Sequence, residues 1–311
     1  MNALAGESIT AVSAKTKLAK LARKRLVRFV TLFPKALVID APETIHDLRV
    51  GSRRLQQTLR LLQPKSKASA NRKVLRLLRK VRRAFGPCRN LDVSIALIET
   101  KLGTTGTASL RQAWDAVKDW LEQKRATEIE RGRAELKKHD LTDFITRVQT
   151  RIEDVDEEPE DVAHLWESAR DAFGEWQTAL ASAKEDAQID RIHGFRIAGK
   201  RLRYRTESLG ELGNPSVKQL IQGLKALQDD LGNWHDHAVL RDLVAEFIGR
   251  PGFLADKPGL CRALLLDMER DKQRNHAAIN DVIVKAEEVA EKNATVLNPN
   301  EPSSEEASRD Q

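Results

Sequence analysis

Apolar residues recur at three- and four-residue steps along most of the chain, with polar residues filling the positions between them. That period predicts helices near 13–33, 42–63, 68–85, 90–101, 107–139, 160–181, 190–210, 215–231, 235–248 and 258–292. Pro34, Pro42, Pro64, Pro87, Pro215, Pro251 and Pro258 fall at or beside the breaks, where a residue without an amide proton belongs. The stretch EDVDEEPED, from Glu153 to Asp161, reads as a linker ending in a helix start at Pro159. The last segment, NATVLNPNEPSSEEASRDQ, has no apolar period and is rich in Pro, Ser and acids, which predicts disorder. The resulting division is an N-terminal segment over 1–14, a helical body over 15–292 and an acidic tail over 293–311.

Within the body the pattern occurs twice. With His46 aligned on His193, an offset of 147, Ile45 meets Ile192, Arg49 meets Arg196, Arg53 meets Lys200, Arg54 meets Arg201 and Leu62 meets Leu209. "FGPCRNLDV" from Phe85 then meets "LGNWHDHAV" from Leu231, bringing Arg89 onto His235. A duplicated all-α protein is the simplest account. It predicts two similar helical bundles, about 15–150 and 159–292, related by a pseudo-twofold axis with equivalent helices facing one another.

Charge changes this picture. The formal net charge is +7, but it is unevenly spread. Between 15 and 89 there are 22 Lys or Arg against Asp40, Glu43 and Asp47, while 150–190 carries 13 acids against three bases. A concentrated basic region points to an anionic partner. At about 100° per residue, Arg53, Gln57 and Arg60 share a side with His46, with Arg49 at its edge, and Leu48, Leu55, Leu59 and Leu62 lie opposite. In the second copy Lys200 and Tyr204 lie beside His193, with Arg196 at the edge and Arg203 next to Tyr204. Arg72, Arg76, Arg79, Lys80 and Arg83 form a further stripe, and Lys20, Lys24 and Arg28 another. The second copy offers only Lys218 and Lys225 in place of the arginine stripe, so the first half should carry more of the binding energy. An ordinary wet face alternates its signs, and these do not.

The paired segments "IHDLRVGSRRLQQTLRLL" and "IHGFRIAGKRLRYRTESL", each followed by a glycine-led "GPCRNLDV" or "GNWHDHAV", closely resemble the repeated motifs of CHAD (conserved histidine α-helical) domains. The resemblance spans roughly 15–292. It implies two four-helix-type bundles packed around a central basic cavity, and inorganic polyphosphate bound there. The family's His-and-Arg motif maps onto His46, Arg49, Arg53, Arg54, His193, Arg196, Lys200 and Arg201; this chain differs in having Lys200 opposite Arg53, and His235 opposite Arg89. It has neither an ExExK motif nor a run of strands, so no adjoining triphosphate tunnel domain is expected.

A linear polyanion without bases or sugars offers only charge and oxygen acceptors. Guanidinium groups suit it because each holds phosphate oxygens bidentately. The expectation is therefore a binding protein rather than an enzyme, with no cofactor and no metal. For the two histidines, phosphate contact and the ordering of a neighbouring helix terminus stand as alternatives. Competing functions are non-specific nucleic-acid binding, which lacks a recognition helix or stacking aromatics here, and histidine phosphotransfer, which has no kinase or receiver signature beside it. Two cysteines, Cys88 and Cys261, make no disulfide framework, and no window is apolar enough to span a membrane. A cytoplasmic protein associated with polyphosphate granules is the expected setting.

Overall fold

The computed structural model describes residues 2–62, 69–153 and 163–297, with side chains from 16, 72 and 163 onward in the three stretches. Its helices are α1 (Asn2–Val38), α2 (Pro42–Leu62), α3 (Ser69–Ala84), α4 (Gly86–Thr104), α5 (Ala108–Leu136), α6 (Leu141–Glu153), α7 (Ala163–Glu185), α8 (Ile189–Glu211), α9 (Lys218–Ile248), the single turn α10 (Phe253–Asp256) and α11 (Pro258–Leu297). No strand occurs among the described residues, and the fold is all-α. None of these helices is long and apolar enough to cross a membrane.

Several boundaries depart from the sequence expectation. α1 begins at Asn2 rather than 13, so the expected N-terminal segment runs inside the helix from its second residue. It also continues through Pro34 to Val38, because Phe33 and Ala36 on either side of the proline are buried and their packing outweighs one lost backbone bond. α6 was not expected at all. Its first turn is capped by Asp140, whose Oδ1 accepts from the amides of Thr142 at 2.8 Å and Asp143 at 3.1 Å. The expected helices 215–231 and 235–248 are one helix, α9. The equivalent place in the first copy carries Pro87 and separates α3 from α4, whereas the second copy has Gly232 and no proline, so the turn runs on. α11 extends past 292, with Asn293 and Leu297 buried, so 293–297 belong to the body rather than to the tail. Pro64, the expected linker beyond Glu153 and the rest of the tail lie outside the described residues.

Packing follows the two copies. α1 packs on α2, α2 on α3, α3 on α6 and α6 back on α1; α7 packs on α8, α8 on α9, α9 on α11 and α11 back on α7. These are two four-helix rings in the same chain order, and they meet where α2 touches α8. The cores do not divide one to each half. One large apolar cluster runs through both rings, from Phe29, Leu55 and Phe144 to Phe173, Trp176 and Phe195. A smaller cluster joins α4 and the start of α5 to the end of α9 and the start of α11, around Trp114, Leu121, Val244 and Leu264. Each fully buried Leu or Phe contributes about 1.5–3 kcal/mol, so shared cores bind the halves firmly. A rigid seam between α2 and α8 is the consequence.

Candidate anion-binding groove

The apolar sides of α2 and α8 anchor the seam. Ile45, Leu48, Leu55 and Leu59 of α2 are wholly buried, as are Ile192, Phe195 and Leu202 of α8. The opposite sides therefore turn towards one another across the two halves. Arg53 Nη1 donates to Tyr204 Oη at 3.0 Å, with its guanidinium 5.8 Å from the ring centroid. Arg203 lies against the same ring at 5.2 Å, so Tyr204 is held between cations from both halves. Tyr204 is buried, and Lys200 one turn before it is half-buried.

Burial and the repulsion of neighbouring cations act together on these side chains. Burial, then Arg196, Arg53 and Arg203, press the Lys200 ammonium down to about 7, with Asp236 opposing. Burial, then Arg53 and Arg89, lower Arg49 to about 10. Burial, then Arg53, Arg49 and Arg60, lower Arg82 to about 10. Arg60 is lowered by burial, then by Arg79 and Arg201 across the seam, and Arg205 by burial, Arg60 and Arg201. Arg196 is lowered by burial, against the pull of Asp236. His46 is exposed at its edge, yet partial burial and the charges of Arg89, Arg49 and Arg53 lower it, Asp47 opposing. His235 stands 5.6 Å from His193, ring to ring, and falls to about 4 through burial, then Arg196, His193 and Lys200. The groove thus runs from Arg60, Arg79, Arg201 and Arg205, past Arg53, Arg82, Lys200 and Tyr204, to Arg49, Arg89, His46, Arg196, His193 and His235. From His46 to Arg60 α2 rises about 21 Å.

What distinguishes these cations is the absence of counter-ions. Several bases elsewhere are paired: Lys124 with Glu246, Lys184 with Glu287, Lys285 with Asp230. Among the described residues, Arg60, Arg79, Arg89, Arg196 and Lys200 have no carboxylate within ion-pair distance. Asp236 acts on the centre of the groove, and burial raises its carboxyl above the usual range despite Arg196, Arg89 and Lys200. Buried Arg82 Nη1 and the Nε atoms of Arg196, Arg203 and Arg205 have no hydrogen-bond acceptor. Like charges held together without acceptors cost free energy that an incoming anion removes.

Arg82 and Arg205 were not singled out from the sequence. Arg82 is set in place by its bond to Gln56 Oε1 and by Arg49, which donates to the Arg82 carbonyl. Gln56 in turn donates to the Leu75 carbonyl at 3.2 Å. The signal was present in the periodicity, since Arg82 lies only about 60° around the helix from Arg79. Other expected residues lie outside this network. Arg54 and Lys218 border a separate pocket of 520 Å³ with Glu207 and Glu211. Arg28 pairs with Asp47 at 3.0 Å, and Lys80 reaches Glu135 at 3.8 Å on α5. Arg201 and Arg203, at the edge of the groove, are each offset by an acid: Arg201 pairs with Glu175, and Arg203 reaches Glu207 at 3.6 Å. Lys20 and Lys24 are exposed on α1, Arg72, Arg76 and Arg83 on α3, and Lys225 on α9, none bonded to a described residue. His237 turns to Asp271, 3.9 Å away, rather than joining His235, and no described group of His, Cys, Asp and Glu is placed to hold a metal.

Comparison with known proteins agrees with the architecture. The crystal structure of the CHAD domain from the plant Ricinus communis superposes with a TM-score of 0.67, at 19% identity, over 86% of this chain and 91% of that one, a likeness of fold. A comparison with curated proteins returned no match. The CHAD domain family model matches residues 20–245, most of the chain, and the protein belongs to the CHAD family.

Proposed function

We propose that this protein binds inorganic polyphosphate along the α2–α8 groove, without altering it. The observation that carries this reading is the row of unpaired cations drawn from both halves, with Arg53, Arg196 and Lys200 at its centre. A chain of phosphates supplies acceptors at short regular intervals and needs no other recognition. Lone donors such as Arg196 Nε and Arg205 Nε gain acceptors when the groove fills. Binding rather than catalysis fits a site rich in anion clamps, and attachment to polyphosphate granules follows from such affinity.

The test is calorimetric titration of the wild type and of Arg53→Ala and Arg196→Ala with a defined polyphosphate. Charge-assisted hydrogen bonds are each worth about 1.5–3 kcal/mol, so each variant should lose roughly tenfold to a hundredfold in affinity. Lys137→Ala, an exposed control at the C-terminal end of α5, should bind like the wild type. Duplex DNA at physiological salt should displace polyphosphate poorly. Equal competition by DNA would favour the nucleic-acid reading instead.

A further inference from the structure

One feature of the groove is not needed for holding an anion. At its centre the second half carries an amine, Lys200, where the first half carries the guanidinium Arg53. A guanidinium would serve the same electrostatic purpose and would keep its charge. Lys200 is half-buried and makes no hydrogen bond or ion pair with a described residue. Arg53 faces it from α2, Arg196, Arg203 and Tyr204 share α8 with it, and Asp236 and His235 face it from α9. We propose that the groove takes small acyl phosphates as well, and that Lys200 is a site of self-acylation by them. This rests on the reading of the groove as a phosphate-binding site.

The geometry supplies both requirements of the reaction. The guanidinium groups of Arg53 and Arg196 hold the phosphate end of the donor and set its carbonyl carbon beside the amine. The same surroundings leave much of the Lys200 population uncharged near neutrality, since its pKa is about 7. An ordinary lysine, near 10.4, is almost wholly protonated there and cannot attack. In the step itself the Nζ lone pair attacks the carbonyl carbon. The N–C bond forms and the C–O bond to phosphorus oxygen breaks. Phosphate departs onto the arginines, and the nitrogen's surplus proton ends on it as hydrogen phosphate. The product is an amide-capped Lys200 with no charge, which removes one cation from the centre of the groove and covers its neighbours. Acyl phosphates would thereby weaken polyanion binding.

The experiment exposes the full-length protein to acetyl phosphate at pH 7.5 and follows acetyl occupancy at each lysine by mass spectrometry over time. Lys200 should acetylate at least about tenfold faster than exposed Lys137 and Lys257, in proportion to its larger fraction of free amine. Tripolyphosphate should protect it, and Arg53→Gln should slow it. An uncharged donor, p-nitrophenyl acetate, should modify Lys200 with less advantage, because the arginines have no phosphate to hold. Acetylation of Lys200 no faster than that of Lys137 and Lys257 overturns the proposal. The two readings separate cleanly. Unreactive Lys200 in a protein that binds polyphosphate sinks only self-acylation. Fast, unprotected acetylation in a protein that does not bind polyphosphate sinks the polyphosphate reading and leaves an acyl-phosphate site.

Discussion

At the scale of single residues, the groove is tuned by what surrounds each cation. Lys200 at about 7 is the clearest case, pressed down by burial and by Arg196, Arg53 and Arg203. A bound polyanion favours the charged form and raises that value. Affinity should therefore be full below pH 7 and fall as pH rises through the window between the free and bound values. His46 and His235, both lowered in the empty groove, add to the dependence on the acid side. Replacing Lys200 by Arg fixes the charge, so Lys200→Arg should flatten the limb above pH 7 and keep the acid limb. The check is a set of titrations from pH 5.5 to 9; an unchanged upper limb in the variant would remove Lys200 from the site. The His46→Ala/His235→Ala variant makes the complementary test, since it should lose the acid limb. Much of this was legible in the sequence. The His-Arg spacing of α2 and α8 placed His46, Arg49, Arg53, His193, Arg196 and Lys200 on facing sides. Periodicity puts Arg82 near the Arg79 stripe, but what fixes it in the groove, Gln56 and Arg49, comes from another helix that no single-helix projection contains.

At the scale of elements, the groove depends on the junction between α3 and α4. Phe85 is wholly buried there, between Arg82 and Arg89 in sequence, and Gly132 of α5 lies directly against its ring. A Cβ at Gly132 would stand 2.6 Å and 2.7 Å from ring carbons of Phe85 and 3.2 Å from the Ala84 carbonyl oxygen. Backbone and a packed ring cannot move aside cheaply. Gly132→Ala should destabilise by about 1–3 kcal/mol and displace Arg82 and Arg89 with the junction. Gly174 in α7 has open space where its Cβ would be, so Gly174→Ala should stabilise by about 0.5–1 kcal/mol. Thermal unfolding of the two variants compares them directly, and equal melting temperatures would refute the packing account. Helix existence was legible from period and proline placement, but continuity was not. Gly232 reads as a break and is not one, because Leu231 and Trp234 are buried on both sides of it. α6 went unseen although Asp140 and Asp143 mark its start, because the Pro-free α5 pattern runs straight up to it.

At the scale of the whole molecule, two four-helix rings share one core and turn their basic helices inward at α2 and α8. The offset of 147 residues announced that α2 and α8 would meet, and the local charge of the first half announced where cations would gather. What periodicity could not announce is that counter-ions divide the bases into two populations. Arg28, Lys80 and Lys124 pair with acids away from the groove, while Arg60, Arg89, Arg196 and Lys200 have no carboxylate within ion-pair distance among the described residues. That sorting is a property of the assembled fold. It also sets how the protein responds to its surroundings: unpaired cations bind by releasing the ligand's counter-ions, so affinity should fall steeply with salt. The most direct test of polyphosphate binding is calorimetric titration with tripolyphosphate and with two longer chains, each at low and at physiological salt. Binding should strengthen with chain length until the groove between Arg60 and His46 is spanned, and weaken sharply as salt is raised. Affinity indifferent to both length and salt would contradict it.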